Sequence, residues 1–280
     1  MKVWVTGAGG LIGSYLARTA STSHPIWEIR GLTRADLDLT DFKAVHRLFS
    51  QDKPQLIIHC AALTKTPACQ QNPALARKLN VEVTEMLAEL AAEIPFVFFS
   101  TDLVFDGRKG NYLETDSVNP LNVYAETKVA AEQVVLRNPR HTVIRTSLNF
   151  GESPTGDRSF GEELRLAWEA GKTLRLFTDE FRCPIAAVVT AEAVWSLVAR
   201  NRPGLYHLAG SERLSRWELG QLLAARWPHL TPRLEPASLC EYQGPPRSPD
   251  TSLDCSRLQA LLPFPLPRFR DWLASKSLSS

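Results

Sequence analysis

Met1-Lys2-Val3-Trp4-Val5-Thr6-Gly7-Ala8-Gly9-Gly10-Leu11-Ile12-Gly13 opens the chain. Val3–Val5 is a short apolar run that fits a buried strand. Three glycines follow at a spacing of G-x-x-G-x-x-G, and an amphipathic stretch runs from Leu11 to about Ala20. The order is strand, glycine turn, helix. Glycine at Gly7 and Gly10 lets the backbone turn at positive φ and leaves room for a close ligand. The helix start at Leu11 and Ile12 aims unpaired N–H groups at the turn, where they suit a phosphate. Gly13 lets helix and strand pack closely, as the third glycine does in the related dinucleotide fingerprint. The competing reading is an ordinary glycine turn, and residues further along decide between the two.

The 280 residues suffice for one large or two modest domains, and 44% hydrophobic with 22% charged residues is an ordinary globular composition. The formal net charge is +2 and the basic residues are scattered, so nothing points to nucleic acid. No apolar run is long enough to cross a bilayer, and the N-terminus reads as strand and turn rather than as a signal peptide. Cysteines stand at 60, 69, 183, 240 and 255 without a C-x-x-C pair, which favours free thiols in a reducing, cytoplasmic setting. No metal-ligand spacing is present.

Beyond the first helix, residues 26–31 read as a second strand that runs into Thr33 and Arg34. A ribose-binding acid is common about 20 residues past such glycines. None lies between Ile29 and Arg34. A guanidinium there suits a 2′-phosphate, which favours NADPH with NAD as the other option. The other reading of Arg34 is a solvent-facing charge. Asp38 can approach an adenine or simply turn the loop, and Thr40 or Asp41 can cap a helix over 42–50. Strands are expected at 56–62, ending in the small residues Cys60, Ala61 and Ala62, and at 94–99, ending in Ser100-Thr101-Asp102. Between them come a loop (63–71) and one long helix (73–93) with Leu75, Leu79, Val83, Met86, Leu87 and Leu90 inward. After a long loop, a helix spans about 122–137 and a strand 141–147. Alternation of this kind predicts a parallel sheet covered on both faces. From 151 onward the rhythm is looser: helices at 159–170, 188–200 and 217–227, and strands at 173–177 and 204–208. Six prolines between 228 and 249 suggest an extended cover. One or two helical turns near 256–262 and a helix over 268–276 follow, with the last four residues frayed.

Tyr124 and Lys128 are four apart on a predicted helix and so share a face. A phenol, with a reference pKa of about 10, becomes a usable proton donor or acceptor when an ammonium stands near it. Thr101, at a strand end, can hydrogen-bond the same reacting oxygen. Glycine turn, strand-end hydroxyl and helical Tyr-x-x-x-Lys together suit a carbonyl reductase that draws hydride from a nicotinamide cofactor.

On these motifs the chain resembles the extended short-chain dehydrogenase/reductases, and within them the dTDP-4-dehydrorhamnose reductase group. The motifs are VTGAGGLIGSYL, STDLVFDG at 100–107 and NPLNVYAETK at 119–128, supported by LDLTD at 37–41, RTS at 145–147, YHLAG at 206–210 and SLDCSRL at 252–258. The resemblance implies a Rossmann-type, doubly wound α/β sheet over 1–150 that also receives about 184–200. It implies a smaller C-terminal α/β portion, mainly substrate-binding, over 151–280. Gly7, Gly10, Leu11, Ile12, Gly13, Thr33, Arg34, Asp38, Leu39, Cys60, Ala61, Ala62 and Asn80 match cofactor-side positions, and Thr101, Tyr124 and Lys128 match the catalytic trio. The implied reaction is reduction of the 4-keto group of a nucleotide-linked deoxysugar by NADPH, with Tyr124 giving the proton and Lys128 tuning Tyr124 and holding the nicotinamide ribose. Asp102, Asn149, Phe150, Arg182 and Arg247 match segments near the substrate, Arg247 suiting a diphosphate or else a surface loop. A homodimer is the family expectation. Departures are Leu103 for tyrosine, Ala125 for glycine, Glu180 for glutamine, Ile185 for threonine, and no acidic pair after Ala62. A second carbonyl substrate is one alternative. Another is a binding role like that of the methionine adenosyltransferase beta subunit, which resembles the same group.

Overall fold

The computed structural model describes residues 1–23 and 26–276. The expected fraying at 277–280 lies outside them. Six strands make one parallel sheet: β1 (Lys2–Thr6), β2 (Glu28–Leu32), β3 (Leu56–His59), β4 (Phe96–Thr101), β5 (Thr142–Thr146) and β10 (Gly204–Leu208), in the order β2-β1-β3-β4-β5-β10. Helices on both faces make this the expected Rossmann-type, doubly wound architecture. The residues dictate it. Val3 and Val5 point to one face and Trp4 to the other, and all three are buried, as a strand covered on both sides requires. On the first face, α1 (Leu11–Ser23) and α8 (Ala187–Arg200) contribute Leu16, Ala20, Val194, Trp195 and Leu197. On the second, α2 (Phe42–Asp52), α5 (Val83–Leu90) and α6 (Val123–Val135) contribute Val45, Leu87, Ala131 and Val135.

The connections differ from the sequence expectation in four places. The second strand begins at Glu28, and Ile26 lies outside it, 84% exposed. The loop expected over 63–71 contains a helix, α3 (Thr66–Gln71), with proline in its first turn, where a missing N–H costs nothing. The long helix expected over 73–93 is broken into α4 (Pro73–Arg77), a π-helical turn over Lys78–Glu82, and α5. Strand β4 runs on to Thr101, so Ser100 and Thr101 end the strand rather than follow it.

The rest of the chain builds a smaller α/β assembly. It contains β6 (Asn149–Phe150), α7 (Phe160–Glu169), β7 (Thr173–Phe177), β8 (Phe181–Arg182), β9 (Ile185–Ala186), β11 (Leu214–Ser215), α9 (Arg216–Arg226), β12 (Arg233–Ala237) and α11 (Phe269–Ser275), while α10 (Ser256–Gln259) packs on the main sheet through Leu258. Ser159 and Ser215 close capping boxes on α7 and α9. Leu164, Trp168, Leu219, Leu223 and Phe269 form its core. The proline-rich segment is not a featureless cover: β12, Pro236 included, pairs in parallel with β7 in a two-stranded sheet, where an edge position spares proline a ladder donor. No helix among the described residues is long and apolar enough to cross a membrane.

Candidate active site

The strand order reverses between β1 and β3, and the glycine turn fills that crevice. Gly7 has φ +70°, and a Cβ there would stand 2.6 Å from the Ala61 nitrogen and 2.8 Å from the Cys60 carbonyl carbon. A Cβ on Gly13 would stand 2.4 Å from the Gly7 oxygen. The turn therefore brings the end of β1, the end of β3 and the start of α1 into contact. Gly10 N–H closes it onto the Gly7 carbonyl at 2.9 Å. Leu11 and Ile12 begin α1, with no acidic residue in the first turn to oppose an anion. At the end of β2, Thr33 lies against Gly9, and Arg34 is exposed. Asp36, just past that stretch, folds back here and accepts from Thr33 N–H at 2.9 Å and Thr33 Oγ1 at 2.6 Å. Asp38 turns the loop through Thr40, whose N–H and hydroxyl both donate to it, and Leu39 packs beneath. Donor-rich turn, absent Cβ atoms and exposed guanidinium fit a dinucleotide phosphate. Among the described residues no group of three or more His, Cys, Asp or Glu is arranged to hold a metal ion.

Thr101, Tyr124 and Lys128 are all buried; Thr101 is a hydrogen-bonding neighbour of Tyr124, and Lys128 lies one turn from Tyr124 on α6. Asn122 caps α6 by accepting from Ala125 N–H at 3.1 Å, which places Tyr124 in the first turn and Lys128 one turn on. Burial pushes the Tyr124 phenol above its ordinary value. The Thr101 hydroxyl, as a hydrogen-bonding neighbour, pulls the other way, and Asp102 pushes it up again. Burial is the largest of these influences, so the phenol is held protonated. The Lys128 ammonium lies 4.0 Å from the centre of the Phe98 ring. Burial lowers its pKa to about 7 against the opposing pull of Glu132 and Cys60. Burial, helped by Lys128, also lowers His59 to about 3, so that imidazole is neutral. Cys60 thus joins the two halves of the site, touching the glycine turn on one side and sensing Lys128 on the other.

Asn80 sits in the π-helical turn. Its amide oxygen accepts from Leu63 N–H at 2.8 Å, and its amide nitrogen donates to the Leu63 carbonyl and to Thr127 Oγ1, both at 3.0 Å. It ties the segment after Ala62 to α6. Four of the five expected substrate contacts are placed otherwise. The Asp102 carboxylate is filled from within the chain: Oδ1 by Thr101 Oγ1 at 3.2 Å, Oδ2 by Ser147 Oγ at 2.8 Å and Thr251 Oγ1 at 3.0 Å. Asn149 is spent on Thr146, Ser147 and Thr190. Phe150 lies in the core of the smaller assembly. Arg182 is buried on Glu180, the Phe181 and Ser248 carbonyls, and Asp102. Only Arg247 keeps an accessible guanidinium, at 30% side-chain exposure. Sequence reasoning missed Ser147, Thr251 and Arg216; nothing local marks them, because their partners lie 36 to 149 residues away.

The model of the RmlD substrate binding domain family matches residues 1–277. A dTDP-4-dehydrorhamnose reductase of Sinorhizobium fredii is 31% identical over 97% of this chain and 95% of its own. The methionine adenosyltransferase 2 subunit beta of Bos taurus is 29% identical over 93% of this chain and 82% of its own. The crystal structure of a hypothetical dTDP-4-dehydrorhamnose reductase from Sulfolobus tokodaii superposes with a TM-score of 0.85 at 30% identity, covering 95% of this chain and 97% of that one. A match of this extent, on a sheet and glycine turn of this form, means that the chain belongs to the RmlD substrate binding domain family, within the extended short-chain dehydrogenase/reductases.

Proposed function

We propose that the protein is an NADPH-dependent reductase of the 4-keto group of a nucleotide-linked deoxysugar, with Tyr124 as the proton donor and NAD as a second cofactor. The observation that carries this reading is the buried neighbourhood of Thr101, Tyr124 and Lys128 next to a turn that only glycine fits. Gly7, Gly10, Leu11, Ile12 and Gly13 hold the dinucleotide's phosphates, and Arg34 its 2′-phosphate. Asp38 and Leu39 border the adenine. Cys60, Ala61 and Ala62 leave space beside the ribose. Bound there, the nicotinamide supplies hydride. The chain supplies everything else. Tyr124, kept neutral by burial, gives its proton to the carbonyl oxygen. Thr101 turns its one hydroxyl hydrogen from Asp102 Oδ1 to that oxygen as negative charge grows, its Oγ1 held by Leu103 N–H at 3.2 Å. Lys128, on the same helical face, holds the nicotinamide ribose and offsets the charge left on Tyr124 once the proton has gone. The reductase named among the relatives supports the substrate class.

The test is loss of NADPH absorbance against a panel of nucleotide 4-keto-6-deoxysugars. Turnover on one member is expected. Tyr124→Phe is expected to lower kcat by about 100-fold or more while cofactor affinity stays within a few fold. Near-normal kcat in that variant removes Tyr124 from the role. The beta-subunit relative favours a second reading, a cofactor-binding partner of a synthetase. Stable binding of a partner synthetase without turnover decides for it, whereas a panel without turnover, alongside tight NADPH binding, leaves a different carbonyl substrate beside it.

A further inference from the structure

We propose that Glu132, pinned by Arg145 and one helical turn beyond Lys128, is a positioning residue that holds Lys128 in its charged form. What that charge does in the reaction rests on the reductase reading above; the charge itself does not. Lys128 and Glu132 stand four apart on α6, and each is 3% exposed. Helical side chains lean back toward the N-terminus, so Glu132 reaches toward Lys128. Arg145, on β5, fixes that carboxylate as a fork. Its Nη2 stands 2.8 Å from Oε2 and its Nε 3.0 Å from Oε1. His207, on β10, fixes Arg145 in turn. The His207 Nδ1 lies 3.0 Å from the Tyr112 carbonyl and 3.2 Å from the Asp254 carbonyl, and carbonyls only accept. The proton is therefore on Nδ1, and Nε2 accepts from Arg145 Nη1 at 3.5 Å. Burial and Arg145 lower His207 to about 4, which keeps the ring neutral.

Packing alone does not explain the pair. A buried arginine–carboxylate pair contributes little net stability beside apolar residues of similar volume. Lys128 supplies a reason for it, because the other groups around that ammonium bring no negative charge to bear. From β3 come His59, a neutral imidazole, and Cys60, whose thiol burial pushes up. Beneath it on β4 is the Phe98 ring. On α6 itself Tyr124 is a protonated phenol and Glu126 is exposed. Past the end of β4, Asp102 is committed to Thr101, Ser147, Thr251 and Arg182. From α3 comes Cys69, another thiol that burial pushes up. The π-helical turn presents the uncharged Asn80, and the charged residues of that turn, α4 and α5 (Arg77, Lys78, Glu82, Glu85 and Glu89) are not buried. Glu132 is what remains. Its pull opposes the burial that brings Lys128 down to about 7. Without it the proton would leave Lys128 below neutral pH.

The experiment titrates Lys128 directly. The Cε resonance of isotope-labelled lysine is followed against pH in the full chain without cofactor, and assigned by its loss in Lys128→Met. Glu132→Gln is expected to lower the midpoint by about one pH unit or more. Glu132→Asp keeps the charge and is expected to hold the midpoint within about half a unit. An unchanged midpoint in Glu132→Gln overturns the proposal. Should that variant fold poorly, Glu132→Leu combined with Arg145→Met replaces the pair by apolar groups of similar size. The midpoint is again expected to fall, and one that stays in place overturns the proposal. Where a keto-sugar is turned over, a fall of one unit lowers kcat by about tenfold at pH 8 and about twofold at pH 6, since only the ammonium form works. An equal loss at both pH values means that Glu132 acts through packing alone, which overturns it as well. In a protein that reduces no keto-sugar, the Lys128 midpoint still decides, so failure of the reductase reading stays separate from failure of this one.

Discussion

Lys128 is the buried ammonium of the site. Its ammonium is buried over an aromatic ring, and burial drops its pKa from 10.5 to about 7. Between those values the folded chain binds fewer protons at this residue than the unfolded chain does, so its contribution to stability rises with pH across that window and is least below about pH 7. Lys128→Met is therefore expected to abolish turnover yet raise the melting temperature. The gain, roughly 2–4 °C per kcal/mol recovered, should be largest near pH 6 and fade toward pH 10. Melting curves of both proteins across that range check it; a variant that melts lower at pH 6 would mean that the ammonium stabilises the fold. Arg34 allows a test of cofactor choice. Arg34→Ala should weaken NADPH by about tenfold and NADH far less, since a charge-assisted contact to the 2′-phosphate contributes about 1.5–3 kcal/mol. Equal losses for both, by titration, would place Arg34 away from that phosphate. Tyr124 and Lys128 were legible in the sequence because helical spacing alone puts them on one face. The fate of Asp102 was not, since the groups that fill it, Ser147 and Thr251, come from 45 and 149 residues away.

At the level of elements, the π-helical turn explains where the apolar pattern misled. The spacing of Leu75, Leu79, Val83 and Leu87 reads as one continuous helix. A π turn inserts an extra residue and rotates what precedes it. Leu75, expected inward, is 42% exposed, Leu79 is only partly buried, and Ala76 is buried in its stead. The same turn delivers Asn80 inward to three bonding partners, two on Leu63 and one on Thr127. Asn80→Ala should cost about 2–4 kcal/mol, because it leaves a buried N–H and hydroxyl with fewer partners. Denaturant unfolding checks this, and a loss below about 0.5 kcal/mol would mean that water replaces the amide. Other elements were read well for simple reasons. Strands β1, β3 and β4 are built on short apolar runs, and α6 begins at an asparagine cap. By contrast, β6, β8, β9 and β11 are two residues each, too short for any period to register.

For the molecule as a whole, the last twenty or so described residues matter more than their irregular sequence suggests. Leu258 and Leu266 lie in the core beneath α1 and α8, and Phe269 lies in the core of the smaller assembly. Each such side chain contributes about 2–5 kcal/mol, against a typical net stability of 5–15 kcal/mol. A chain ending after Asp254 should therefore fail to fold cooperatively, as a broadened or absent thermal transition would report; a sharp transition near that of the full chain would show those residues to be dispensable. The parallel sheet has a further consequence in time rather than in space. Strand β10 pairs with β5, and Arg145 is separated from its cross-strand partner His207 by 62 residues. A ribosome adding roughly 5–20 residues per second leaves the outer edge of β5 without its neighbour for about 3–12 s on each copy made. Every residue of that strand is buried in the finished protein. During synthesis, β5 is therefore a bare hydrogen-bonding edge beside an apolar surface, the kind of template on which nascent chains adhere to one another and which chaperones shield.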